Sequence, residues 1–324
     1  MIRNQWYVVL ESKEVRNTMV AVKRLNEALL FWRDESGKVV CFVDHCPHRG
    51  VALSSGTILP NHHVQCPFHG LEFNSQGQCT VIPANGFKAT VPSNFHVKRY
   101  ETYEKHGFIW IFWGDNHPDS EAPLFFDSLQ GLHYKTRHDV WKIHYSRVIE
   151  NQLDCAHIPF IHRKTIGRSH KTLVDGPLVT WKDEHQLLMY VFNRHDDGSA
   201  PLKPEQLQAK AETEQHLAFI FPNLWQNYIL PKMRVVVAFV PVDDETTIMY
   251  LRFYHRFFKN SLLQSIVSSL MMPYNIKIAH EDRRVVETQR PVASALMMDE
   301  NLFQADLPII AYRKKRDQLM RLNQ

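Results

Sequence analysis

Cys46-Pro47-His48-Arg49-Gly50 is answered by Cys66-Pro67-Phe68-His69-Gly70, with seventeen residues between His48 and Cys66. Each loop offers one thiol and one imidazole. Two thiolates and two imidazoles suit a two-iron two-sulfur cluster in which Cys46 and Cys66 hold one iron and His48 and His69 the other. Proline stiffens each loop, and the trailing glycine lets main-chain amides come close to bridging sulfides. The same four residues could hold tetrahedral zinc, but zinc fingers usually group cysteine with cysteine and histidine with histidine, and here each loop supplies one of each. Cys41, Cys79 and Cys155 read as buried or incidental thiols. Five cysteines in 324 residues, two of them committed to a cluster, leave no disulfide framework, so a reducing cytoplasm is expected.

Around these loops, strand-like runs cover residues 6–10, 29–33, 39–44 and 108–113, with turn signals at Glu35-Ser36-Gly37 and Ser75-Gln76-Gly77. They describe a small all-β unit that presents two ligand loops rigidly. Residues 115–123, rich in Asp, Asn, Ser and Pro, read as a linker, so the expected domains are 1–115 and 116–324. Further strands are expected at 179–182, 187–192, 233–241 and 247–257, with a turn at Asp243-Asp244-Glu245. Helical stretches follow, broken at Pro273, with Asp306 as the N-cap of the last helix. Strands followed by helices place the second domain in the α+β class, helices over one face of an antiparallel sheet.

A second constellation reads Glu150-Asn151-Gln152-Leu153-Asp154-Cys155-Ala156-His157-Ile158-Pro159-Phe160-Ile161-His162. On a helix, positions 150, 154 and 157 share one face beside an apolar stripe of Ile149, Leu153 and Ala156. Pro159 argues against continuation, so His162 is expected to return from the turn that follows. Two histidines and one carboxylate with open coordination positions form a site for non-haem ferrous iron and dioxygen. The third ligand must come from elsewhere, and His280-Glu281-Asp282 in a helical stretch at 274–289 is the densest candidate. Asp282 shares a face with Ile278 and Asn275, whereas His280 and Glu281 point elsewhere. Spacing alone does not choose among them.

The two motifs together resemble the oxygenase component of Rieske non-haem iron oxygenases, the alpha subunits of ring-hydroxylating and demethylating enzymes. The residues that carry the resemblance are 46–50, 66–70, 150–162 and 281–291, and it extends over essentially the whole chain. It implies Cys46, His48, Cys66 and His69 as cluster ligands, and His157, His162 and Asp282 as iron ligands. It implies Asp154 as the carboxylate linking the two centres, with Asn151 as a further candidate at the site. It also implies a helix-grip, START-like catalytic domain and a homotrimer in which one subunit's cluster serves its neighbour's iron. The short single-subunit format resembles the monooxygenase and demethylase branch, so hydroxylation or oxidative demethylation of a small organic substrate is favoured over cis-dihydroxylation. Imidazole ligation raises a cluster's potential, which fits a relay fed by a reductase, with or without a ferredoxin, from NADH or NADPH. The chain has no dinucleotide fingerprint of its own. Where many relatives carry tryptophan after the second loop this chain has Leu71, and Phe68 lacks tyrosine's hydroxyl; losing that donor would lower the potential.

Composition is consistent with this. Lys plus Arg exceeds Asp plus Glu by 38 to 34, a net charge of +4 that gives no case for nucleic acid. No signal-peptide h-region opens the chain and no apolar run approaches a membrane span. Arg313-Lys314-Lys315-Arg316 reads as a solvated helix face, with a partner-binding patch as the alternative. Residues 219–232, with Phe221, Asn223, Trp225, Asn227 and Tyr228, could line an apolar pocket with polar anchors. A Rieske-type electron carrier without chemistry of its own would not need the second motif or the residues beyond it.

Overall fold

The computed structural model describes residues 1–115, 122–210 and 215–322. Its residues form two compact units, Met1–Pro123 and Leu124–Gln324. Residues 116–121 of the expected linker lie outside those described.

The first unit is all β. Strands β1 (Gln5–Glu11), β2 (Val20–Arg24), β3 (Glu27–Arg33) and β4 (Val39–Val43) precede short strands β5 (Thr57–Ile58), β6 (Val64–Gln65), β7 (Glu72–Phe73) and β8 (Cys79–Val81). Then come β9 (Arg99–Tyr100), β10 (Thr102–Lys105) and β11 (Phe108–Trp113). They pair as three sheets, β1-β11-β10, β2-β3-β4-β9 and β5-β6-β7-β8. Alternation along β3 and β4 divides the apolar side chains between two cores. Leu29, Phe31 and Cys41 join Tyr7, Ile109 and Ile111 on one side. Leu30, Trp32 and Phe42 join Cys46, Cys66, Leu71 and Phe73 on the other. The ligand loops are thus anchored by their cysteines in a hydrophobic core.

The second unit is built on a seven-stranded antiparallel sheet, in the order β12-β18-β17-β16-β15-β14-β13. Its strands are β12 (His133–Trp141), β13 (Leu173–Trp181), β14 (Gln186–Arg194), β15 (His216–Ile220), β16 (Leu224–Leu230), β17 (Met233–Pro241) and β18 (Thr247–His255). The helices are α1 (Tyr145–Leu153), α2 (Ile158–Ile161), α3 (Ser261–Val286) and α4 (Leu307–Leu322). The architecture is the expected α+β. No described helix is long and apolar enough to cross a membrane.

Five local expectations are corrected. The sequence places Asp154 and His157 on one helix, but α1 stops at Leu153: Asp154 is extended and its Oδ1 accepts from the Ala156 N–H at 2.7 Å. A short polar side chain here offers the backbone a competing hydrogen bond and ends the helix. Pro159 does not end it; Pro159 lies within the first two positions of α2, where a missing N–H costs nothing. Pro273, read as a break, lies inside an uninterrupted α3. Side-chain donors serve carbonyls on the neighbouring turns, Ser269 Oγ to Ser265 O and Asn275 Nδ2 to Met271 O, and the helix packs along β12 and β18.

The fourth correction concerns Arg313 and Arg316, which are buried rather than solvated. Arg313 grips Glu150 with two hydrogen bonds of 2.8 and 2.9 Å and reaches Glu300 at 2.8 Å. Arg147 closes the network on Glu300 at 2.8 Å and Glu150 at 3.2 Å. Arg316 donates to Ser294 O at 2.7 Å. Asp306 stands directly before α4, but its carboxylate accepts from the Phe303 N–H. Strand β13 begins six residues before its expected start because it runs through Gly176-Pro177, where its register with β14 shifts.

Candidate metal centres

In the first unit, the two ligand loops have the same internal geometry. Cys46 N donates to Val51 O and Gly50 N to Cys46 O at 2.8 and 2.9 Å; Cys66 N donates to Leu71 O and Gly70 N to Cys66 O at 2.8 and 3.1 Å. Gly50 and Gly70 close these turns at φ of 77° and 72°. Glycine takes that conformation freely, and a Cβ at Gly50 would sit 3.0 Å from the His45 ring.

The cysteines are buried and the histidines exposed. His48 Nδ1 and His69 Nδ1 face one another at 3.1 Å. Burial pushes the Cys46 thiol up to about 11 while the main-chain amides of His48 and Arg49 pull it down and the Cys66 thiol raises it. Amides directed at the sulfur are what a ligating thiolate uses. Two adjacent thiols and two facing imidazole nitrogens fit a mixed-ligand two-iron cluster with its histidine edge at the surface. Leu71 is core, and Phe68 is half exposed, with its ring 3.9 Å from that of His69.

In the second unit, His157, His162 and Asp282 come together. One ligand atom from each lies within 4.8 Å of the others. Asp282 Oδ1 is 2.9 Å from His162 Nε2 and 3.4 Å from His157 Nε2. His157 caps the N-terminus of α2, His162 its C-terminus, and Asp282 faces them from α3.

Each histidine also has a carboxylate on its other nitrogen. Glu281 Oε2 accepts from His162 Nδ1 at 2.9 Å and from Thr165 Oγ1 at 2.6 Å. Asp154 Oδ2 lies 3.4 Å from His157 Nδ1, close enough for attraction but long for a hydrogen bond. Both rings therefore present Nε2 to Asp282. Asn151 approaches the same carboxylate, Nδ2 to Oδ1 at 3.4 Å.

The electrostatics mark a place for a cation. Burial lowers the pKa of His157, yet the carboxylates of Asp154 and Asp282 more than offset it and carry the value up to about 9. Burial raises that of Asp282, and the two histidines more than offset it, holding it below its usual range. An acidic, half-enclosed cluster that draws protons onto imidazole has the donor set of a two-histidine, one-carboxylate metal site.

Glu281 is the residue that sequence reasoning placed wrongly: it is the partner of His162, not a residue pointing elsewhere. A carboxylate directly before a candidate ligand was the available signal. Of the aromatic segment, Trp225 and Asn227 line a cavity of about 200 Å³ beside the histidines. Phe221 stacks on Tyr312, Asn223 donates to Phe239 O, and Tyr228 lies under Arg234, all away from it.

The family of Rieske [2Fe-2S] domains matches residues 5–100, and that of vanillate O-demethylase oxygenase C-terminal domains matches residues 141–322. Among curated relatives, the chain is 37% identical over 170 residues to chlorophyllide a oxygenase of Chlamydomonas reinhardtii, covering 52% of this chain and 25% of that one. It is 31% identical over 194 residues to the oxygenase component of dicamba O-demethylase of Stenotrophomonas maltophilia, covering 59% and 56%. The matched region thus spans roughly a quarter to a half of these relatives. In fold, the chain superposes on Pseudomonas putida CBB5 NdmA with a TM-score of 0.78 at 24% identity, over 98% of this chain and 91% of that one. Dicamba monooxygenase bound to dicamba gives 0.72 at 22%, over 99% and 98%. With both family signatures in order on one chain, each around its own cluster of ligand-type side chains, the protein belongs to the Rieske non-haem iron oxygenase family.

Proposed function

We propose that the chain is a terminal oxygenase that hydroxylates or oxidatively demethylates a small organic substrate. The observation that carries this is the convergence of His157, His162 and Asp282 in the wall of a cavity of about 200 Å³. Cys46, His48, Cys66 and His69 would hold the two-iron two-sulfur cluster, and His157, His162 and Asp282 a single ferrous iron. Bound there, the cluster supplies single electrons, and the iron supplies open coordination positions for activating dioxygen.

The chain's own groups prepare the site. Glu281 fixes the ring orientation of His162, and Asp154 attracts the outer nitrogen of His157. Ile158, Val235, Val237 and Leu251 line the cavity and exclude water from the reacting face. Asp154 is also the proposed link between centres, since a cleft of about 440 Å³ with Arg147, Glu150 and Arg313 in its wall opens beside it and His157. In a homotrimer, that carboxylate could take a hydrogen bond from the partner's cluster histidine. Electrons would come from NADH or NADPH through a reductase, with or without a ferredoxin.

The match to vanillate O-demethylase C-terminal domains and the likeness to a dicamba O-demethylase component favour demethylation. The test is an iron and acid-labile sulfide assay with a visible spectrum, followed by oxygen uptake with a reductase. The cluster spectrum plus one further iron, the latter lost in His157→Ala, is the expected result. A cluster with no further iron leaves an electron carrier, and a colourless zinc protein refutes both assignments.

A further inference from the structure

The sheet side of the cavity is apolar but for two groups. Trp225, Asn227 and Ile229 alternate along β16 onto one face, beside Val235 and Val237 of β17 and Leu251 of β18. Trp225 is 6% exposed, and its Nε1–H has no acceptor among the described residues and almost no open surface, so a ligand that takes it must turn the ring slightly towards the cavity. Buried donors are rarely left so. Asn227 sits two residues further along the same strand, about 7 Å away, and its amide both donates and accepts.

Charge narrows the ligand further. Among the described lining residues there is no lysine or arginine, and the acidic ones are Asp154 and Asp282. A divalent ion bound by Asp282 would bring the cavity to neutrality and no further. A carboxylate or sulfonate would meet no counter-charge away from the metal, at a cost that burial enlarges. The volume is also below the range of about 300–1,000 Å³ usual for drug-sized ligands.

We infer that the substrate is a small, neutral carboxamide or lactam whose carbonyl oxygen accepts from Trp225 Nε1 and whose polar edge meets the Asn227 amide. This deepens the oxygenase reading and rests on it only for the choice of cavity. The test measures binding, not turnover. Dissociation constants of 4-methoxybenzamide, 2-quinolone and 4-methoxybenzoate are determined by calorimetry on the iron-loaded full chain without electron donor.

Both amides should bind at least tenfold more tightly than the benzoate. Trp225→Phe should weaken amide binding by about tenfold, the worth of one hydrogen bond to a buried donor, and leave benzoate unchanged. Asn227→Leu, at a half-buried position, should weaken the amides too and carries the test if the tryptophan variant does not fold. Benzoate binding as tightly as the amides, neither amide binding below 5 mM, or amide affinity unchanged in both variants would overturn the inference. Amide binding without substrate-coupled oxygen uptake would refute the oxygenase reading alone; oxygen uptake coupled to carboxylates would refute the substrate class alone.

Discussion

Removing the Glu281 carboxylate is the sharpest probe of how the second metal site is assembled. In the folded chain Glu281 Oε2 takes His162 Nδ1 at 2.9 Å and is itself braced by Thr165 Oγ1 at 2.6 Å. His162 is almost wholly buried, so the lost acceptor is one of the few fixed partners its ring has. Glu281→Ala would leave the ring's tautomer and orientation unset. Loss of such an orienting partner typically lowers metal affinity by about 10- to 100-fold, or about 1.4–2.7 kcal/mol. Asp282→Ala removes the proposed ligand oxygen itself and should cost more. Thr165→Val removes only the brace, about 0.5–1.5 kcal/mol, and Glu281→Gln keeps an acceptor and should recover most of the loss. The assay is anaerobic titration of metal-free protein with ferrous iron against a chromogenic chelator, with the cluster spectrum as control for the other unit. Affinity within twofold of the parent in Glu281→Ala would refute the orienting role. A larger loss in Glu281→Ala than in Asp282→Ala would move the third ligand to Glu281.

Asp154→Asn should retain both metals while slowing cluster reoxidation in a single turnover; a normal rate and product yield would rule out the bridging role. His48→Cys should lose the cluster or lower its potential, because thiolate adds negative charge; a voltammogram unchanged from the parent's would remove His48 from the ligand set. Arg313→Met leaves Glu150 and Glu300 with one buried cation, and breaking such a pair costs about 3–5 kcal/mol. For a unit of this size that is roughly 6–20 °C in thermal midpoint, and a calorimetric shift under 3 °C would contradict it. His144, whose Nδ1 accepts from the Ser146 N–H as the cap of α1, is held down to about 3, chiefly by burial and then by Arg316. The unfolded imidazole, near 6.5, therefore takes its proton first. Stability is at full value above pH 6.5 and is lost as pH falls towards 3, by up to about 1.4 kcal/mol per unit. His144→Asn keeps a cap acceptor and should flatten that acid limb in denaturant titrations; an unchanged slope would refute the assignment.

The ligand loops were legible in the sequence because their structure is local. Each Cys-Pro-X-X-Gly turn closes on itself through hydrogen bonds four or five residues apart, and proline and glycine encode the required φ values directly. The α+β class was legible for a related reason, since period-two alternation marks half-buried strands wherever the sheet ends up. Strand β12 escaped notice because it lies at the sheet edge and alternates polar with polar, His133 to Trp141. Which of Glu281 and Asp282 turns its carboxylate between the two histidines was a tertiary question. Neighbours on a helix differ by about 100° in direction, and that direction depends on how α3 is docked. Arg283 on Asp139 at 2.7 Å and the Lys142 N–H on Glu287 at 2.6 Å fix the docking from over a hundred residues away. The fate of Arg313 was hidden for the same reason: its partner Glu150 is 163 residues earlier. Alternation groups Trp225 with Asn227 and sets them apart from Tyr228, but not which group lies under α3. Sequence periodicity defines relative orientation along one element, and only packing between elements decides which face is inside.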